Sequence, residues 1–113
     1  MLKIYHNPRC RKSRAGLAYL QNKGLDAEIV EYIKDPVSEE ELKEVLMKLN
    51  KKPREIIRTQ EEVYKSQFRG KNFTDHEWIK ILIEHPKLIQ RPIVVKKHKA
   101  IIADPPENID QLL

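Results

Sequence analysis

A short apolar run that stops at a proline and restarts as a helix is the feature that most constrains this fold. Leu2–Tyr5 has the composition of a β-strand, and His6-Asn7-Pro8 interrupts it. From Arg11 onward apolar residues recur at helical spacing, and Lys23-Gly24 supplies a helix end. Because a strand that feeds a helix through a tight turn begins a βαβ unit, the chain is predicted to be an α/β protein.

Three further strands are predicted. Residues 28–32 follow the first helix, and a crossover helix requires this strand to pair in parallel with the first one. Residues 93–95 and 100–103 are apolar runs on either side of a polar turn at 96–99, which is the pattern of a hairpin. A short last helix is predicted over residues 107–113.

The middle of the chain is predicted to be helical. Ser38 and Thr74 each precede a glutamate by three residues, and this spacing is typical of a capping box at a helix start. The first of these helices is expected to end at Asn50 and the second at His85-Pro86. Residues 53–73 are predicted to be short helices and loops.

The order of these elements is that of a thioredoxin-like, or glutaredoxin-like, domain with a mixed β-sheet flanked by helices. A helical insertion, roughly residues 36–90, separates the second strand from the third. At 113 residues the chain is long enough for one hydrophobic core but not for two. A single domain over residues 1–113 is therefore expected.

Cys10 is the only cysteine, and it is predicted at the first turn of the first helix. The free N–H groups and the positive end of the helix dipole favour a thiolate there. A free thiol titrates near about 8.5, so such surroundings can turn it into a nucleophile. The alternative is a buried structural cysteine. Nucleophilic chemistry is favoured by the four neighbouring cations Arg9, Arg11, Lys12 and Arg14.

Composition narrows the function. The chain has 22 basic and 17 acidic residues, a net charge of +5, and this excess is spread along its length. This favours a small anionic substrate over nucleic acid, since Phe and Trp together number only three and no binding motif for nucleic acid is visible. No metal site is predicted, because His76, His85 and His98 lack ligand spacing.

The surroundings of the protein are also predicted. One cysteine excludes an intramolecular disulfide, and the N-terminus lacks the pattern of a signal peptide. No apolar run approaches the ~20 residues that cross a bilayer. A cytoplasmic protein that does not interact with membranes is expected, and we expect a monomer.

Two motifs resemble the glutaredoxin-dependent arsenate reductase family. The first is His6-Asn7-Pro8-x-Cys10-x-x-Ser13-Arg14, and the second is Leu88-Ile89-Gln90-Arg91-Pro92-Ile93-Val94. Arg58 lies between them in Ile56-Ile57-Arg58-Thr59. Their order and separation extend the resemblance over nearly the whole chain.

The resemblance implies that Cys10 attacks arsenate and that His6 and Ser13 are polar partners of the cysteine. On the residues alone, His6 could equally pack at the strand end, and Ser13 could bond a helix carbonyl.

The resemblance also implies that Arg58 and Arg91 hold the oxyanion, with Arg14 as a further candidate. Guanidinium groups bind tetrahedral oxyanions through bidentate, charge-assisted hydrogen bonds. Taken singly, each arginine could be a surface cation or an ion-pair partner. Arg91-Pro92 resembles the family's cis-proline corner, so Pro92 is expected to follow a cis peptide bond.

Reduction of arsenate needs two electrons, and this chain offers only one thiol. The resolving thiol must therefore come from another molecule, and the resemblance implies glutathione as co-substrate followed by glutaredoxin. No bound cofactor is expected.

One position departs from the family pattern. Asp104 stands before Pro105, where the arsenate reductases carry another oxyanion-binding arginine. A glutathione-dependent thiol reductase acting on another substrate is therefore the first alternative. The second is a transcriptional regulator of the same fold that binds the RNA polymerase α-subunit, although Cys10-Arg11-Lys12-Ser13 cannot form the Cys-x-x-Cys disulfide of its redox-sensing members.

Overall fold

The computed structural model describes all 113 residues, which form two compact units. Met1–Asp35 and Arg91–Leu113 make up the first, here called the sheet unit. Pro36–Gln90 make up the second, here called the insertion unit. The single domain with its helical insertion stays a prediction.

The sheet unit contains a four-stranded mixed sheet in the order β2-β1-β3-β4. β1 pairs in parallel with β2 and antiparallel with β3, and β3 pairs antiparallel with β4. The α/β class and the thioredoxin-like fold are confirmed. The strands are β1 (Leu2–Tyr5), β2 (Ala27–Val30), β3 (Ile93–Lys96) and β4 (Lys99–Ile102).

Helix α1 (Arg11–Asn22) connects β1 to β2. It ends at Lys23, and Gly24 then adopts a positive φ of 69°, which glycine tolerates without a steric penalty. The N–H of Leu25 bonds the carbonyl of Leu20 across this turn. The strands, α1 and a 3-10 helix at Pro106–Leu112 pack around one apolar core. Its buried residues are Leu2, Ile4, Leu20, Val94, Ile101, Ala103, Ile109 and Leu112.

Five predicted strand boundaries are wrong by one or two residues, and two of these differences have a clear physical reason. β2 ends at Val30 rather than at residue 32, because the Glu31 carbonyl accepts the N–H groups of Lys34 and Asp35 in a turn. β4 begins at Lys99 rather than at residue 100, because Lys97 adopts a φ of 55° and tightens the hairpin turn to two residues.

The insertion unit contains α2 (Glu39–Leu49) and α3 (Asp75–Glu84). At the start of α2 the Ser38 side chain accepts the N–H of Glu41, and Asn50 ends this helix in the left-handed conformation. Between the helices lie a 3-10 turn at Pro53–Ile56 and a π-helix at Tyr64–Phe68. The short helices predicted for this stretch are therefore present.

The capping box predicted for α3 is complete. The Thr74 hydroxyl accepts the N–H of Glu77 at 3.2 Å, and the Glu77 carboxylate accepts the N–H of Thr74 at 2.8 Å. The second bond holds the pKa of Glu77 below its ordinary value. Trp78, in the first turn of α3, is buried and meets Phe73 edge to face at 4.9 Å.

No helix is both long enough and apolar enough to span a membrane.

The Thr74 cap gives a first test of these assignments. Thr74→Ala removes the acceptor for the N–H of Glu77, and we expect the free energy of unfolding to fall by about 1 kcal/mol in urea titrations. Ser66→Ala, at an exposed position of the same unit, is the control and should change it by less than about 0.5 kcal/mol. Equal effects of the two substitutions would contradict the capping role.

Candidate active site

The loop between β1 and α1 is held by its own polar atoms. The Asn7 side-chain oxygen accepts the N–H of Arg9 at 3.0 Å, and the Asn7 carbonyl accepts the N–H of Cys10 at 3.0 Å. Arg14 reaches back from α1 and donates to the Pro8 carbonyl at 3.0 Å. These hydrogen bonds hold the loop in one conformation and place Cys10 at the start of α1.

Cys10 is the N-cap residue of α1, with extended backbone angles of φ −97° and ψ 126°. Cys10 therefore precedes the first turn of α1, although the sequence predicted it within that turn, because residues 7–10 form a turn centred on Pro8 and Arg9 that delays the helix by one residue. The side chain makes no capping bond of ideal geometry. The N–H groups of Ser13 and Lys12, in the first turn of α1, nevertheless act on the sulfur.

Opposing effects set the acidity of Cys10. Burial raises the pKa of the thiol, because charge is costly where solvent is partly excluded. A hydrogen bond from the Arg91 guanidinium, the N–H of Ser13, the charge of Arg91 and the N–H of Lys12 all lower it. The lowering effects prevail, so the pKa of Cys10 lies below its ordinary value and the thiolate is favoured.

Arg91 is brought to the sulfur by the residues around Pro92. Arg91 is 8% exposed, and its peptide bond to Pro92 is cis, the geometry that the resemblance implies. The Pro92 carbonyl accepts the N–H of Ala103 at 2.9 Å, which ties this corner to the residue after β4.

Gly16 packs directly under this corner. A β-carbon at position 16 would lie 2.6 Å from Cγ of Pro92 and 3.6 Å from Cβ of Ala103. Contacts below 3.0 Å are essentially absent from folded proteins, so only glycine allows α1 to approach Pro92 this closely. Gly16 is thus a positioning residue for Arg91.

His6 and Ser13 form a second, buried pair. Nδ1 of His6 lies 2.7 Å from the Ser13 hydroxyl oxygen, which also accepts the N–H of Asn7 at 2.8 Å. Burial lowers the pKa of His6, and Arg14 adds to this, whereas Glu31 and a hydrogen bond with Ser13 act in the opposite direction. The net lowering favours a neutral ring, which can accept a hydrogen bond from the Ser13 hydroxyl. The pair braces the loop, and a direct catalytic role for His6 or Ser13 stays a prediction.

Arg58 lies in the insertion unit. Its backbone N–H donates to the Leu88 carbonyl at 2.7 Å, and its Nε donates to the Glu61 carboxylate at 3.1 Å. The neighbouring Ile57 pairs with Ile89 in an antiparallel bridge. Arg58 is therefore held in a defined position within its unit, and its role as an oxyanion ligand stays a prediction.

Comparison with known proteins identifies the family. The chain matches the ArsC family over residues 5–112. The chain belongs to the ArsC family. The family resemblance inferred from the two motifs is thereby confirmed.

Three relatives illustrate how close the likeness is. This ArsC-family chain is 38% identical to an arsenate reductase of Neisseria meningitidis over 114 residues, 99% of this chain and 97% of that protein. It is 41% identical to an arsenate reductase of Haemophilus influenzae over 112 residues, 97% of each protein. A solved structure of an arsenate reductase from Vibrio cholerae has a TM-score of 0.94 and 39% identity, covering 99% of this chain and 97% of that one.

Sequence reasoning missed the structural roles of Asn7 and Gly16 in this ArsC-family site. Asn7 precedes a proline, which is a turn signal, so its backbone role was accessible from the sequence. Gly16 interrupts a helical pattern at a cost of about 1 kcal/mol relative to alanine, and such a glycine often has a packing reason. No group of three or more His, Cys, Asp or Glu residues is placed to hold a metal ion.

The contribution of Arg91 can be measured through the reactivity of Cys10. Arg91→Met removes the hydrogen bond and the charge that lower the pKa of the thiol, so the pKa should rise and the thiolate should form only at higher pH. We expect the rate of alkylation by iodoacetamide at pH 7 to fall several-fold. The inflection in the pH profile of this rate should move to higher pH. Arg11→Met is the control, since Arg11 is exposed and does not act on the sulfur as Arg91 does. A pH profile like that of the wild type would contradict the role of Arg91.

The role of Gly16 can be tested in the same assay. Gly16→Ala should force Pro92 away from α1, which displaces Arg91 and raises the pKa of Cys10. We also expect a loss of about 1–3 kcal/mol in the free energy of unfolding from overpacking. The exposed Ala18 of the same helix provides the control Ala18→Ser. Loss of stability with an unshifted alkylation profile would show that Gly16 matters for packing alone.

Proposed function

We propose that this protein is an arsenate reductase in which Cys10 is the nucleophile and glutathione and glutaredoxin are the external reductants. The observation that carries the proposal is the contact between the Cys10 sulfur and the Arg91 guanidinium, with a thiol pKa below its ordinary value. A thiolate beside a guanidinium is suited to attack an oxyanion, because the same cation that stabilises the sulfur also attracts the substrate. The names of the relatives support arsenate as that oxyanion.

The first chemical step follows from the charges at the site. Arsenate approaches Arg91 and the N-terminus of α1, where guanidinium and backbone N–H donors meet its oxygens. The Cys10 thiolate attacks As(V), an S–As bond forms, and one arsenate oxygen leaves as water after protonation. Arg14 and Arg58 are the further candidates for holding the remaining oxygens.

The electrons come from two external thiols. Glutathione replaces a second oxygen of the Cys10–arsenic adduct, and a second molecule of water leaves. A glutaredoxin thiolate then attacks the glutathione sulfur, and a mixed disulfide forms. The two electrons of the broken S–As bond reduce As(V) to As(III), and water releases arsenite and regenerates Cys10. This scheme needs no second cysteine in the chain, in agreement with its composition.

The site also suits a reducing environment. Cys10 is a free thiol, and it would be oxidised in an oxidising compartment. We therefore propose that the protein acts in the cytoplasm, as a monomer, where the glutathione pool keeps Cys10 reduced.

Reduction of arsenate by the purified protein tests the proposal. With glutathione and glutaredoxin present, we expect the wild type to form arsenite. Cys10→Ser should form arsenite at least about a thousandfold more slowly, because the nucleophile is removed. Omission of glutaredoxin should stop turnover after the adduct has formed. An equal rate for wild type and Cys10→Ser would overturn the proposed function, and full turnover without glutaredoxin would overturn the proposed reductant.

A glutathione-dependent reductase acting on another substrate is the second candidate, and Asp104 favours it. A carboxylate at this position opposes an incoming anion, and Asp104 pairs with Lys12 close to the site. Under this alternative Cys10 would form a mixed disulfide with oxidised glutathione, visible in the intact mass, while arsenate would not be reduced. A mixed disulfide that glutaredoxin resolves would support it, and its absence would remove it.

A further inference from the structure

An ion pair next to Cys10 joins two distant parts of the sequence. Lys12 Nζ lies 2.9 Å from the Asp104 carboxylate, and the two side chains are 53% and 41% exposed. Lys12 is also one of the two residues whose backbone N–H acts on the Cys10 sulfur. The Lys12 backbone thus contacts the Cys10 sulfur, while the Lys12 ammonium group is held by the Asp104 carboxylate.

Hydrogen bonds of the surrounding backbone hold Asp104 in place. It follows Ala103, whose N–H bonds the carbonyl of Pro92 in the corner that positions Arg91. The Asn108 side chain donates to the Asp104 carbonyl at 3.3 Å and to the Ile102 carbonyl at 3.2 Å. Asp104 is therefore fixed to the same backbone framework as the site, and its carboxylate can hold Lys12 in a constant place.

The pair changes the charge that an approaching molecule meets. Without the carboxylate, the Lys12 ammonium would be free to attract an anion beside the sulfur. With the carboxylate, one cation is neutralised and its flexible stem is restrained. An exposed pair of this kind acts modestly: at low ionic strength a single charge about 6 Å from an approaching anion changes its rate of approach by roughly threefold.

We propose that Asp104 determines the charge specificity of the Cys10 site: by holding Lys12 in an ion pair, it withholds one cation from incoming anions and so selects against highly charged ones. This inference rests on the proposed function, in which an anion reaches Cys10. It adds a specificity determinant outside the groups assigned to oxyanion binding. It also gives Asp104 a function that the family resemblance alone does not supply.

Alkylation of Cys10 by two reagents of different charge tests the proposal. Iodoacetate is an anion and iodoacetamide is neutral, and both alkylate the thiolate with loss of iodide. The ratio of their second-order rates cancels the thiolate fraction, so it reports the electrostatics of approach rather than the pKa of the thiol. The ratio is measured at low ionic strength for the wild type, Asp104→Asn, Lys12→Met and the double variant.

We expect Asp104→Asn to raise the iodoacetate-to-iodoacetamide ratio by roughly threefold, and about 1 M salt should abolish the increase. In the Lys12→Met background the same substitution should have a clearly smaller effect, because no ammonium remains to be released. Asp110→Asn is the matched control. Asp110 pairs with Lys23 at the other end of α1, so the charge change is identical but remote from Cys10.

Two results would overturn the proposal. If Asp104→Asn leaves the ratio as unchanged as Asp110→Asn does, Asp104 does not influence anion approach. If its effect is equal in the presence and absence of Lys12, Asp104 acts through its own charge and the ion pair is irrelevant. Should Asp104→Asn disturb folding, Asp104→Ser gives the same comparison with a smaller side chain.

The test is independent of arsenate turnover. A shifted alkylation ratio together with absent arsenate reduction would retain the charge selection and reject the proposed function. Arsenate reduction together with an unshifted ratio would retain the proposed function and reject the charge selection. If both proposals hold, Asp104→Asn should lower KM for arsenate and leave kcat nearly unchanged, because approach and binding change while the reacting groups do not.

Discussion

The hydrogen bond between the Arg91 guanidinium and the Cys10 sulfur is the interaction on which the site depends. Burial alone would keep the thiol protonated, and it is the largest single influence on its pKa. The guanidinium reverses that outcome together with the N–H groups of Ser13 and Lys12. Each of these groups is placed by a different part of the sheet unit: Arg91 by the corner before β3, and the N–H groups by the start of α1. The surroundings that favour the Cys10 thiolate therefore form only where β1, the start of α1 and the proline corner before β3 come together.

Much of the fold could be predicted from local pattern, because strand alternation, caps and breakers are properties of neighbouring residues. The capping box at Thr74 and the end of α1 at Lys23-Gly24 are examples in which the chemistry is entirely local. The strand ends could not be predicted as well. β2 ends where the carbonyl of Glu31 is taken by a turn, and the hairpin closes tightly because Lys97 accepts a positive φ. Neither choice is visible in the hydrophobic pattern.

The site was predictable to the extent that its residues carry reactive or charged groups close in sequence. Cys10 was found from its position after a turn, and Arg91 with Pro92 was found from the family motif. Gly16 was missed because its contribution is the absence of a side chain, which matters only once Pro92 lies 2.6 Å from the place of a β-carbon. The partnership of Lys12 with Asp104 was missed because only the folded sheet brings those two residues together. Local reasoning finds Cys10 as the candidate nucleophile, but it misses the packing that positions the Arg91 guanidinium beside the sulfur.

The hairpin at Lys97 and His98 has a practical consequence. Both residues are exposed, and they stand at the end of β3 opposite Pro92, about 17 Å of extended chain from Pro92 in the corner that carries Arg91. A peptide epitope or an immobilisation tether inserted there would leave the reactive end of the strand unobstructed. Surface-attached preparations of the enzyme could then be exposed to successive thiol and oxyanion solutions while the sulfur continues to face solvent.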